Sequence, residues 1–228
     1  KAGGKTVAFA NYVYDAVGNR ISMADQNGVH TYRYDVSNRL IVARDLPLLP
    51  FSGEGFAYDK AGNRRHDTLA KDYKYDNANR LLENTLYAYT HDLNGNLTSR
   101  TEKTSSATIT YAYNPENQLF NVITPEGAKV EYKYDPLGRR IGKSVNNDTA
   151  HYLYDGQNII ADLDNGGIPV NTYTNGPGID EPLVMSKPEG KNYYYHADAL
   201  GSMTIITDDR NVVVEIYQYK AYGAPTIS

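Results

Sequence analysis

The side chains that could do chemistry in this chain are five histidines, 27 acidic residues and a serine behind a glycine. His30, His66, His91, His151 and His196 show neither H-E-x-x-H nor H-x-H spacing, so no zinc-type ligand set is written into the sequence. Residues 161–167, ADLDNGG, begin like a calcium loop with Asp162 and Asp164. The twelfth position, which must carry a bidentate acid, is Tyr173, so a hairpin turn is expected instead. Ser202 follows Gly201, but no nucleophile elbow surrounds it. Asp208 and Asp209 lie between the strand-like runs MTIIT and VVVEIY and read as a turn. The absence of cysteine removes thiol nucleophiles, disulfides and thiolate metal sites together. These patterns lead us to expect no catalytic residue, no metal and no cofactor.

What remains is an aspartate–arginine pattern that recurs. Its anchors are Tyr14-Asp15, Tyr34-Asp35, Tyr58-Asp59, Tyr75-Asp76, His91-Asp92, Tyr113-Asn114, Tyr134-Asp135 and Tyr154-Asp155. A catalytic acid–base pair has no reason to recur eight times, whereas a cross-strand latch does. Another aromatic ring stands two places before most anchors, at Tyr12, Tyr32, Phe56, Tyr73, Tyr111, Tyr132 and Tyr152. A spacing of two is strand spacing and puts both rings of a repeat on one face.

The elements that position this pattern follow from turn chemistry. Three residues after each anchor acid or amide come Gly18, Asn38, Gly62, Asn79, Gly95, Asn117, Gly138 and Asn158. Asp or Asn opening a turn accepts backbone N–H groups, and Gly or Asn best tolerates the left-handed backbone that closes it. Every copy, including Asp155 to Asn158, is expected to obey this rule. Asp135-Pro136-Leu137-Gly138 falls in the same register and reads as a turn. Gly copies run D-x-x-G-N-R, to Arg20 and Arg64, and Asn copies run D-x-x-N-R, to Arg39 and Arg80. One extra residue per Gly copy would reverse the strand faces, so a bulge is expected to absorb it, giving a hairpin-pair unit of about 40 residues. Return turns are expected at Asn27-Gly28, Glu126-Gly127 and Asn165-Gly166. Asp35 should cap its own turn, with Arg39 reaching acids or rings on neighbouring strands.

These signals predict an all-β chain of antiparallel hairpin repeats, roughly 16–20 strands, forming a curled strip or part of a hollow shell. The 22 tyrosines, against 4 phenylalanines and no tryptophan, suit half-wet sheet faces. Residues 45–56, DLPLLPFSGEGF, interrupt the rhythm as a loop, either tucked over a sheet edge or docking a neighbouring segment. A net charge of −4 argues against nucleic acid, and no apolar run approaches the ~20 residues of a membrane span. A start at Lys1 suggests a segment excised from a longer chain.

At this point the residues carry a resemblance. Y-x-Y-D-x-x-G/N-x-R resembles the YD repeat of the RHS family, which includes bacterial RHS proteins, insecticidal toxin-complex shells and animal teneurins. The stretch YTNGPGIDEPLVM, 173–185, is similar to the opening of the RHS-associated core, with Gly176, Pro177, Gly178, Asp180, Glu181 and Pro182 in its motif. Residues 193–225 continue that core through Tyr195, His196, Asp198, Gly201 and Ser202. The resemblance implies a YD-repeat strip over 1–170 and a core segment over 171–228 continuous with the same sheet. It also implies a shell, secreted or at the bacterial surface, that encloses a C-terminal toxin or effector cargo. Self-cleavage would lie beyond Ser228. Exposed strand edges should self-associate. A second function class, glycan binding on tyrosine faces, stays open at this stage.

Overall fold

The computed structural model describes residues 9–46 and 53–227. Every regular element among them is a β-strand, and the pairings within β1–β5, β6–β7, β8–β18 and β20–β23 are antiparallel. The first seven are β1 (Ala10–Tyr14), β2 (Arg20–Asp25), β3 (Gly28–Tyr34), β4 (Leu40–Leu46), β5 (Gly53–Gly55), β6 (Ala57–Tyr58) and β7 (Arg64–His66). Then come β8 (Lys74–Tyr75), β9 (Leu81–Glu83), β10 (Tyr87–His91), β11 (Leu97–Glu102), β12 (Thr108–Tyr113), β13 (Leu119–Ile123), β14 (Lys129–Tyr134), β15 (Arg140–Val145), β16 (Asp148–Asp155), β17 (Asn158–Leu163) and β18 (Pro169–Asn175). The last five are β19 (Pro182–Ser186), β20 (Asn192–Ala197), β21 (Met203–Asp208), β22 (Val213–Tyr219) and β23 (Pro225–Ile227). The 23 strands exceed the expected 16–20, because several are only two or three residues long.

Two compact units form. One comprises Lys1–Leu69, Leu183–Met185 and Lys191–Ser228; the other comprises Ala70–Pro182 and Ser186–Gly190. In the first, β1 to β5 make a sheet in chain order, β6 and β7 form a hairpin of their own, and β20 to β23 pair successively. In the second, β8 to β18 pair in chain order. Neighbours in sequence are thus neighbours in the sheet, as hairpin turns every few residues require.

The register repeats with one rule. Tyr14 pairs with Arg20, Tyr34 with Leu40, Tyr58 with Arg64, Tyr75 with Leu81, His91 with Leu97, Tyr113 with Leu119 and Tyr134 with Arg140. The offset is six residues whether the turn carries Gly or Asn. A bulge precedes the anchor in both kinds of copy. The expectation of an extra residue in the Gly copies is therefore corrected: the frame has constant length, and the two kinds of copy differ in the residue types at the third to fifth places after the anchor acid or amide.

Two further expectations shift. Gly53–Gly55, placed in a loop, instead pairs with β4 through Val42 to Arg44; residues 47–52 of that stretch lie outside the described residues. Two of the return turns sit one residue away from where they were expected: Asp25 pairs with Gly28 across Gln26-Asn27, and the turn closed by Gly127 N–H on the Thr124 carbonyl is centred on Pro125-Glu126. The third is centred on Asn165-Gly166 as expected, with Gly167 left-handed behind it. Few side chains are fully covered: Ala43, Phe56, Ala70, Ala161, Ile205 and Ile206 are the buried apolar residues among those described.

Candidate functional site

The most repeated structure is the turn after each anchor. Gly18, Asn38, Gly62, Asn79, Gly95, Asn117 and Gly138 all have φ between 59° and 90°. In each of these turns the anchor N–H donates to the carbonyl four residues on, as Asp35 does to Arg39 at 2.9 Å. The anchor carboxylate completes the lock. Asp35 Oδ1 accepts the N–H groups of Ser37 and Arg39 at 2.9 and 3.0 Å, and its Oδ2 accepts Arg39 Nε at 2.7 Å.

In the other copies the same Oδ2 position accepts Asn19 at 3.0 Å, Asn63 at 3.1 Å, Arg80 at 2.6 Å, Asn96 at 2.9 Å and Arg139 at 2.7 Å. Donor hydrogen bonds to the charged form lower a carboxyl pKa. The Arg39 side chain does so for Asp35, the Arg80 backbone and side chain for Asp76, and the Asn19 amide for Asp15.

The arginines divide into two sets by position. Those at the fourth place reach from their own aspartate to the next hairpin. Arg39 Nη1 donates to the Asp59 carbonyl at 2.8 Å with its guanidinium 4.9 Å from the Tyr58 ring, and Arg80 donates to the Asp92 carbonyl at 3.1 Å. Those at the fifth place lie between two rings. Arg20 lies over Tyr12 and Tyr32, at 5.6 and 4.4 Å, and Arg140 over Tyr132 and Tyr152, at 5.4 and 5.5 Å. A guanidinium over an aromatic face contributes by cation–π attraction and shields the ring from water.

Anchor tyrosines join successive hairpins. Tyr34 OH donates to the Arg20 carbonyl at 2.9 Å, Tyr58 to Leu40 at 2.7 Å, Tyr134 to Leu119 at 2.7 Å and Tyr154 to Arg140 at 2.9 Å. Each acceptor belongs to the residue paired with the preceding anchor or standing in its place. Burial pushes Tyr34, Tyr134 and Tyr154 above the usual phenol range, so the donor form is retained.

Asp155 departs from the rule. It pairs directly with Asn158 across a two-residue turn, and the left-handed residue there is Gly156. Asn158, expected to close the turn, instead braces the core loop: its Oδ1 accepts the Asp180 N–H at 3.0 Å. In that loop Gly176 N–H donates to the Glu181 carbonyl at 2.8 Å, and Gly178 N–H donates to Glu181 Oε2 at 2.9 Å. A Cβ on Gly176 would lie 2.5 Å from Glu181 Cδ and Oε2, so a larger residue there would displace the Glu181 carboxylate. Pro177 lies within that loop, and Pro182 opens β19.

The rest of the core motif continues the repeat, which the sequence pattern alone did not reveal. Asp198 opens a turn closed by Gly201 at φ 80°, and its Oδ1 accepts the Ser202 N–H at 2.9 Å. Tyr219 then stands as an anchor, with Lys220 in the aspartate place and Gly223 at φ 82°, and its hydroxyl donates to the Met203 carbonyl at 2.7 Å. The D-x-x-G spacing at 198–201 was the available signal. Tyr195 OH lies 3.7 Å from Met185 Sδ.

Ionisable groups outside this frame form no ligand set: no group of three or more His, Asp or Glu able to hold a metal occurs among the described residues. Asp162 Oδ2 accepts Tyr173 OH at 2.5 Å and Asn171 at 3.0 Å, while Asp164 caps its own turn through Gly166 and Ile168. His196 Nε2 lies 2.9 Å from the buried Thr207 hydroxyl, and burial lowers its pKa. The first unit holds a cavity of about 1230 Å³, bordered by Arg20, Asp25, His30, Asp45 and Asp198. His30 stands there between two carboxylates, with Nδ1 2.6 Å from Asp45 and Nε2 3.2 Å from Asp25. The Nε2 contact is an ion pair without hydrogen-bond alignment. Burial pulls the His30 pKa down, but the two carboxylates outweigh it and the net shift is upward. This cluster can hold a proton; Ser202 is tied by its N–H to Asp198.

Comparison with known proteins accords with this geometry. The family model for the teneurin YD-shell matches residues 5–228. The tRNA3(Ser)-specific nuclease WapA of Bacillus spizizenii is 33% identical over 184 residues, 75% of this chain and 8% of its own length. The double-stranded DNA deaminase toxin A of Burkholderia cenocepacia is 28% identical over 242 residues, 93% of this chain and 17% of its own. Among solved structures, TcdB2-TccC3 without its hypervariable C-terminal region matches 97% of this chain and 14% of that one, with a TM-score of 0.55 at 15% identity. The chain thus spans under a fifth of the length of these relatives. Hairpins in constant register, aspartate-capped turns and a family match over almost every residue lead to one conclusion: this chain belongs to the teneurin YD-shell family of RHS/YD-repeat proteins.

Proposed function

We propose that the chain is a stretch of wall in an RHS/YD-repeat shell that encloses and delivers a C-terminal toxin or effector, and that it performs no catalysis itself. The carrying observation is how the polar side chains are used. The anchor carboxylates, the arginines at the fourth and fifth places and several tyrosine hydroxyls are engaged with backbone or rings of the same frame. Such groups hold strands together and leave little chemistry free. The nuclease and toxin names of the relatives support the cargo side of the reading, and the small share of their length covered here leaves room for cargo elsewhere in a parent chain.

In this reading the repeat strip of 1–170 and the core segment of 171–228 form one continuous wall, and the repeat-signature residues are structural. The strip curves around a lumen. The parent protein is secreted or displayed at the bacterial surface, and free strand edges pair with further wall or with a second copy. Glycan stacking is disfavoured, because Tyr12, Tyr32, Tyr58, Tyr132, Tyr152 and Tyr154 already face a guanidinium. The net charge of −4 also disfavours nucleic-acid binding by the wall.

The test is an assay of the purified chain against nucleic acid, protein, ester and glycan substrates. No turnover is expected with or without divalent metal. Turnover that survives repurification and is abolished by a point substitution in this chain would overturn the reading.

A further inference from the structure

The hairpin β6–β7 stands outside the sheet formed by β1 to β5, yet its arginine follows the same rule as the others. Arg64 occupies the fifth place after Asp59, as Arg20 does after Asp15 and Arg140 after Asp135. In those two copies the second ring over the guanidinium comes from the next hairpin, Tyr32 or Tyr152. Over Arg64 one ring is Phe56, at 5.2 Å, and the other is Tyr222, at 4.2 Å. Tyr222 is 158 residues away in the chain, in the loop between β22 and β23.

Three more contacts converge on the same ring and loop. Phe56 and Tyr222 meet edge-to-face with centroids 4.8 Å apart. The Tyr58 and Tyr222 hydroxyls hydrogen-bond each other. Glu54 Oε2, on β5, accepts the Ala221 N–H at 2.6 Å. All of these groups lie in the same compact unit.

We infer that β5 to β7 form a receptacle for the C-terminal loop Ala221–Gly223, and that Tyr222 is a staple joining sequence-distant parts of the chain. The receptacle has four matched parts: a buried phenyl edge, a guanidinium face, a phenol and a carboxylate aimed at a backbone N–H. Gly223, at φ 82°, closes the turn that carries Tyr222, its N–H donating to the Lys220 carbonyl at 2.9 Å, and Tyr222 as a whole residue stays 52% exposed despite these contacts. Edge-to-face pairs and cation–π contacts prefer this geometry. Burial, followed by the Tyr222 hydroxyl, pushes the Tyr58 phenol well above the usual range, so the Tyr58 hydroxyl keeps its proton at neutral pH. The staple does not depend on what the wall encloses.

Amide hydrogen exchange on the chain and its Tyr222→Ala variant tests the inference. Removing the ring should speed exchange in residues 53–66 by about fivefold or more, a local loss of cation–π and ring contacts, while residues 129–163 keep the parent rate. Unchanged exchange in 53–66 overturns the staple. Should Tyr222→Ala lose protection in both segments alike, photo-oxidative tyrosine cross-linking of the parent chain with a ruthenium sensitiser and persulfate decides. A cross-linked peptide joining Tyr58 to Tyr222 supports the inference; its absence, while other tyrosines cross-link, overturns it.

Discussion

Asn38 holds φ at 59°, a backbone that a β-branched residue adopts only under strain. Replacing Asn38 by Val should destabilise by about 1–2 kcal/mol, while Asn38→Gly should melt close to the parent, in a denaturant titration. Asp35→Ala should also lower the midpoint, because two N–H groups and the Arg39 guanidinium lose their acceptor. A Val variant that melts with the parent would show that the turn is not strained as described. The His30 cluster makes a pH prediction. Its folded pKa is raised, so its contribution is fully present below the unfolded value near 6.5 and is lost as pH rises through the higher folded value. His196 is lowered, so its contribution has the opposite sign and fades as pH falls. Comparing stability against pH for the parent and His30→Gln should remove the loss on the alkaline side alone.

At the scale of the element, β21 carries the best-buried stretch, with Ile205 at 2% exposure and Thr207 at 2%. Ile205→Ala should therefore cost about 2–5 kcal/mol, read from the unfolding midpoint. A substitution of Ile21, 38% exposed, should cost far less. Gly176→Ala should displace the Glu181 carboxylate from the Gly178 N–H and loosen the core loop without unfolding its neighbours, visible as faster exchange at 176–181.

The turn after Asp35 was legible in the sequence because its chemistry is local: an acid, then Asn or Gly three residues on, then a donor. The constant register was not. Counting letters from Gly18 to Arg20 suggested an added residue, whereas Asn19 and Arg39 fill the same place by donating to the same carboxylate oxygen. Asn158 misled for the same reason, since its pattern matched but the hairpin closes two residues earlier. The Tyr222 contact joins positions 158 residues apart, and no spacing rule reaches that far.

Across the whole molecule, neighbouring strands are zipped by repeated aspartate, arginine and tyrosine contacts, the frame of the proposed wall. A far-ultraviolet spectrum should show β-structure with less than about a fifth helix. The central claim concerns what that wall does in an intact parent protein. The most direct measurement is an electron-microscopy map of the parent with residues 1–228 located by a small tag on a hairpin turn. The account predicts that these hairpins lie in a closed wall, with the toxin or effector density inside it. Finding them in a detached module, or finding the effector outside any wall, would contradict it.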